Sequence, residues 1–199
     1  MVEKSIDLSK ATLGVLLTRG QVFTNGHYGL VKLILDENDY ACVVIGSADK
    51  QGTERNPFPI ELREQFINIS LHDLGEDRER VAVFPLNDWI SENNATELNM
   101  WGHYLYYNIV GHTGIKRFKF YYSDGEEVLN RWFDDEVRQY IKYVCNDRSK
   151  MFGGVSATQV RELLLKEDYA SAEKLISPCG KCYMKLMHSI LKEVMEGKK

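Results

Sequence analysis

Apolar residues collect in five short runs along the chain, at 12–17, 40–45, 80–84, 116–122 and 138–144, each with the length and the β-branched or aromatic content of a strand. Between them the apolar positions return every three or four residues, over 26–35, 59–71, 97–110 and, more briefly, 126–133. That spacing is the period of a helix with one buried face. Strand and helix therefore alternate, which predicts an α/β fold: a parallel sheet with helices on both faces and ligands beyond the carboxyl ends of its strands. After Gly154 the pattern turns wholly helical, at 156–166, 169–175 and 182–196. No low-complexity linker precedes this tail. It is expected as a C-terminal helical extension (156–199) packed on the sheet domain (1–155).

Composition sets limits. The 199 residues suffice for one substantial core, and 44% apolar with 27% charged residues is ordinary for a globular protein. A net charge of −4 argues against a general nucleic-acid surface but leaves room for a local basic pocket. No run reaches the roughly 20 apolar residues that span a bilayer, and 1–10 is charged rather than a signal-peptide core. The expectation is a cytoplasmic protein with neither nucleic acid nor membrane as partner. Of four cysteines, Cys42 sits in an apolar run and reads as a small buried hydrophobe. Cys179-Gly-Lys-Cys182 has the spacing of half a zinc site or a redox pair, but no second Cys/His pair accompanies it. The plainer reading is a loop between the last two helices.

Candidate chemistry concentrates at two helix starts. Arg19-Gly-Gln-Val-Phe-Thr24-Asn-Gly26-His27 lies between the first strand and the first helix, and places a cation, glycines, a hydroxyl and an imidazole where amides and the helix dipole favour an anion. Gly153-Gly154-Val-Ser156-Ala-Thr158-Gln-Val-Arg161 repeats the arrangement, with two hydroxyls and a guanidinium opening another helix. A nucleoside triphosphate needs such groups: donors and cations for its phosphates and for the charge that develops at the reacting phosphorus. The plainer readings are that Thr24 and Asn25 cap a helix whose His27 is an exposed first-turn residue, and that Ser156 is an ordinary cap beside a solvent-facing Arg161. The polar stretch 88–99 carries Trp89 at its start and Trp101 just beyond, large aromatics of the kind that either contact ligands or cover a core edge.

Thr24-Asn25-Gly26-His27 resembles the T/H-x-G-H motif of the nucleotidyltransferase superfamily, and Ser156-Ala-Thr158-Gln-Val-Arg161 resembles its I-S-x-T-x-I/V-R signature, in the expected order at the two ends of a Rossmann-like domain. Ile45-Gly-Ser47-Ala, Thr53-Glu-Arg-Asn56-Pro-Phe58 and Arg63-Glu64 are similar to the G-S-A…T-x-x-N-P-F…E-R-E segment of nicotinamide mononucleotide adenylyltransferases, of the archaeal type and of the bifunctional bacterial enzymes. Pro85-Leu-Asn-Asp88-Trp89 and the downstream Trp101 resemble the same group. The resemblance runs from about Leu13 to Lys166.

It implies an adenylyltransferase that joins ATP, with Mg²⁺, to nicotinamide mononucleotide, giving NAD and pyrophosphate by direct in-line attack. By that resemblance His27, Thr24 and Arg161 carry the catalysis. Arg19, Gly26, Ser156 and Thr158 hold ATP, and Ser47, Asn56, Arg63, Asp88 and Trp101 line the mononucleotide pocket. His27 is expected as a charged donor, its pKa raised by neighbouring phosphates. No protein ligand to the metal is implied, because the triphosphate and water supply most of its coordination. Homo-oligomerisation is left open. Three departures stand out: Thr24 where the group usually has histidine, Leu62 for the acid of its E-R pair, and Gly20 and Val22 for an aromatic and a proline, which predict a looser loop. Threonine is normal in pantetheine-phosphate adenylyltransferases. Pantetheine phosphate, nicotinic acid mononucleotide, or a catalytically weak nucleotide-binding regulator are therefore the alternatives.

Overall fold

The computed structural model describes residues 10–88, 95–123, 126–146 and 152–197. Among these, five strands form one parallel sheet in the order β3-β2-β1-β4-β5: β1 (Leu13–Thr18), β2 (Tyr40–Ile45), β3 (Val81–Pro85), β4 (Phe118–Tyr122) and β5 (Ile141–Cys145). Leu13 pairs with Tyr40 and Thr18 with Ile45, so β1 and β2 end together. From β1 the chain winds outward to β3, then crosses back to lay β4 on the other side of β1. That reversal opens a crevice at the carboxyl ends of β1 and β4, where this class of sheet binds ligands.

Strand alternation splits the core into two layers. Ala41, Val43 and Ile45 face a cluster built with Val31, Ile34 and Leu35 of α1 (Asn25–Glu37) and Leu62, Phe66, Ile67 and Leu71 of α2 (Ile60–Leu71). Cys42 and Val44 face the other layer, with Leu105 and Ile109 of α3 (Ala95–Thr113), Leu129 of α4 (Glu126–Trp132) and Val137 of α5 (Asp135–Arg138). Burial pushes the Cys42 thiol up to about 12, as its reading as a buried hydrophobe requires. The C-terminal helices α6 (Ala157–Leu165), α7 (Tyr169–Ala172) and α8 (Met184–Met195) join the first layer through Val160, Leu164, Ala172, Met184, Met187 and Leu191.

Three details depart from the sequence pattern. The fifth apolar run begins as α5, whose four residues are capped by the Asp134 carboxylate accepting from Glu136 and Val137, so β5 starts at Ile141. A 3-10 segment, His72–Arg80, fills the connection after α2. Cys179–Tyr183, expected as a loop, is a 3-10 turn that leads into α8.

Candidate active site

At the carboxyl end of β1 the chain turns sharply. Gly20 has φ +62°, a backbone state only glycine adopts freely, and a Cβ there would lie 2.9 Å from Ile67. Its N–H donates to Thr18 Oγ1 at 3.2 Å. Gln21, Val22, Phe23 and Thr24 are all buried, and Gln21 Oε1 accepts from the Phe58 N–H. The looser loop expected from Gly20 and Val22 is not found, because these residues pack into the core instead.

Thr24 caps α1, and His27 sits one turn in, 8% exposed rather than surface-lying. The Thr24 backbone N–H donates to His27 Nδ1 at 3.1 Å, with Thr24 Oγ1 2.9 Å from the same nitrogen. An amide can only donate, so Nδ1 accepts in that contact. Nε2 lies 3.2 Å from Thr18 Oγ1, and the ring stacks on Phe23. Gly26, the second residue of α1, has no left-handed φ; its contribution is the missing side chain at the helix start.

The second arm arrives from the far end of the chain. The segment Phe152–Gly154 packs on α1. Thr24 bridges Ile176, and Asn25 Nδ2 donates to the Lys174 carbonyl at 2.9 Å. Ser156 caps α6 by accepting from the Gln159 N–H at 3.1 Å, and Arg161 donates to Thr158 Oγ1 at 3.3 Å. Thr158 is exposed and Ser156 half-buried. Burial lowers the Arg161 pKa first; Glu162 and Glu54 oppose that, and Arg19 adds to it. Arg19 and Arg161 thus share one electrostatic neighbourhood, a doubly cationic setting suited to a polyanion.

Beside this cleft, Arg63 is 1% exposed and donates to five carbonyls: Arg19, Gly46, Ser47, Ala48 and Lys50. Its guanidinium ties the turn after β1 to the turn after β2. Burial lowers its pKa, against Asp49, Glu61 and Asp88. Ser47 takes φ +51°, a strained state for a residue with a Cβ, held by its N–H to Asp88 Oδ1 at 3.1 Å and its carbonyl to Arg63. Lys50 meets Asp88 at 2.8 Å. Burial would raise the Asp88 carboxyl, but hydrogen bonds from Lys50 and Ser47 and the lysine's charge outweigh it and hold the group below its ordinary range. Asn56 is buried, and among the described residues its Oδ1 has no hydrogen-bond partner. Trp101 stands apart on α3, its ring against Tyr104 and Trp132 at the edge of the second core layer. Trp89 lies outside the described residues.

No family model matches the chain. Over 155 residues it is 30% identical to a nicotinamide-nucleotide adenylyltransferase from Caldivirga maquilingensis, covering 78% of each chain. That extent and identity decide the question. The chain belongs to the nicotinamide-nucleotide adenylyltransferase family. A relative of the same name from Saccharolobus solfataricus is 32% identical over 92 residues, 46% of this chain and half of that protein. A bifunctional NMN adenylyltransferase/ADP-ribose pyrophosphatase from Francisella tularensis, solved with AMP and a manganese ion, superposes with a TM-score of 0.69 at 18% identity, covering 94% of this chain and 52% of that one. This chain thus spans about half the length of two of these proteins.

In this member of the adenylyltransferase family, Thr24 touches His27, Arg19 lies electrostatically near Arg161, and Arg63 joins Arg19 to Ser47, which in turn holds Asp88, while Trp101 sits on α3. Sequence reasoning missed Thr18, which touches His27, and Lys50, which holds Asp88. A hydroxyl closing an apolar strand directly before Arg19 was the available signal for Thr18.

Proposed function

We propose that this chain transfers the adenylyl group of ATP, bound as its magnesium complex, to nicotinamide mononucleotide, releasing pyrophosphate and forming NAD. A mononucleotide phosphate oxygen bonds to the α-phosphorus while the bond to the β-phosphate bridge breaks in line with it. The ionised nucleophile needs no general base. His27 Nε2–H donates to a non-bridging α-phosphate oxygen, while Arg19 and Arg161 offset charge on the departing pyrophosphate. Ser156 and Thr158 complete that side, and Arg63 holds the pocket's two turns in place. The observation that supports the reading is the buried His27 at the start of α1, held by Thr18 and Thr24, together with Arg19 and Arg161 in one electrostatic neighbourhood.

The unpartnered Asn56 Oδ1 favours the amide substrate. A buried acceptor suits a carboxamide N–H and repels a carboxylate. Pyrophosphate release is measured with ATP, Mg²⁺ and, in parallel, nicotinamide mononucleotide, nicotinic acid mononucleotide and pantetheine phosphate. Turnover is expected with the first above the second. Turnover with pantetheine phosphate alone would transfer the assignment to that acceptor, and silence with all three would sink it in favour of a nucleotide-binding regulator.

A further inference from the structure

The 3-10 turn Cys179–Tyr183 packs on α2 and carries chemistry that adenylyl transfer does not use. In such a turn residues three apart eclipse one another, and three rises of about 2.0 Å put their Cα atoms about 6 Å apart. Disulfides bridge Cα separations of roughly 4.4–6.8 Å. The i, i+3 spacing of Cys179 and Cys182 in this turn therefore suits a bridge between them. Their environments differ. Cys182 is exposed, its Sγ lying 3.1 Å from the Cys179 carbonyl. Cys179 is half-buried, and Asp73 takes both of its donors: Sγ–H to Oδ1 at 2.9 Å and N–H to Oδ2 at 3.3 Å. The turn itself is braced. A Cβ on the intervening Gly180 would lie 2.9 Å from both Phe66 and the Ser70 hydroxyl, so the backbone seats flush on α2.

We propose that Cys179 and Cys182 form a dithiol–disulfide exchange site, with Cys182 the attacking thiol, Cys179 the resolving thiol and Asp73 its base. The oxidant is a low-molecular-weight disulfide. The Cys182 thiolate attacks one of its sulfurs, forming a mixed disulfide and releasing one thiolate. Cys179 then passes its proton to Asp73, attacks the Cys182 sulfur and expels the second thiolate. Two protein thiols are oxidised to one disulfide, and the small disulfide is reduced to two thiols. The hydrogen bond to Asp73, with burial second, raises the Cys179 thiol above its ordinary range, as suits a resolving group that waits for its base. The same stretch of chain runs back to Ile176, which bridges Thr24, so the couple sits on the backbone that braces the phosphate loop.

The test is incubation of the full chain with oxidised glutathione, acid quench, alkylation and peptide mass mapping. The peptide bearing both cysteines is expected to lose two hydrogens, resist alkylation and recover with dithiothreitol. Cys179→Ser should trap one glutathione on Cys182. Asp73→Asn keeps an acceptor for the Cys179 N–H but cannot take the proton, and should slow closure of the mixed disulfide by about tenfold or more. A glutathione adduct that persists on Cys182 of the unaltered protein, a pair that stays alkylatable, or reaction confined to the exposed Cys145 would overturn the site. Closure at the unaltered rate in Asp73→Asn would remove the base.

Discussion

The two arms that face each other across the end of β1 are held to very different degrees. On the first, every side chain from Gln21 to Thr24 is buried, and His27 is fixed by Thr24 on one ring nitrogen, Thr18 near the other and Phe23 across its face. On the second, Thr158 is exposed, and among the described residues Arg161 has one long hydrogen bond, to it. The first arm is set before any ligand arrives, and preorganised donors are the ones that lower a barrier, because nothing reorganises as charge develops. On the proposed function, the second arm adjusts to the polyanion and contributes chiefly to holding it.

This contrast is breakable. The largest effect is expected where the first arm is anchored. Arg63→Ala removes a donor shared by five carbonyls, of which Ser47 O keeps the Lys50 N–H, and with unpaired buried groups costing about 1–3 kcal/mol each, urea denaturation should show a loss of about 3 kcal/mol. Unchanged stability would mean that the two turns hold themselves. Next comes His27→Ala, expected to lower kcat by about 10²–10³ with little change in the KM for ATP, as when one preorganised donor is removed. A loss confined to KM would erase the difference between the arms. Arg161→Ala should do the reverse, raising the KM for ATP about tenfold, the scale of one charge-assisted hydrogen bond, with a smaller fall in kcat. Thr18→Val is subtler: losing one neutral hydrogen bond of about 1 kcal/mol should lower kcat roughly fivefold if Thr18 orients the imidazole. The smallest effect concerns acid. Asp88 is held below its ordinary range when folded, so its contribution is full above the unfolded carboxylate pKa and fades as pH falls through the lower folded value. Asp88→Asn should remove that part of the acid-limb slope in a stability-versus-pH series.

Much of this architecture is readable from periodicity alone. Five apolar runs mark the five strands of the sheet, and the start of β2 is where the pattern puts it. The run at 138–144 misleads because its first residues close α5, a helix too short to show a period and defined by the Asp134 cap. At the site, sequence spacing separates exposed from buried poorly. His27 looks like a surface residue of a helix start. Its burial depends on Phe23 and Thr18, one stacked on it and the other at the end of a strand. Arg63 reads as a pocket residue, yet its five acceptors are main-chain oxygens that no residue pattern reveals. Cys179 and Cys182 read as loop, because only a partner distant in sequence, Asp73, defines the turn's first residue.

The bond from Asn25 to the Lys174 carbonyl joins positions 149 residues apart. At a synthesis rate of about 5–20 residues per second, Asn25 leaves the ribosome roughly 7–30 s before Lys174 does. Until then the turn after β1 lacks its brace, and closing so long a span must be offset by the core that α6 and α8 complete. A nascent chain can assemble β1, β2 and α1 early and still present an unfinished anion cradle. Nucleotide affinity in ribosome-bound intermediates should rise late and steeply, at the lengths that release Ile176.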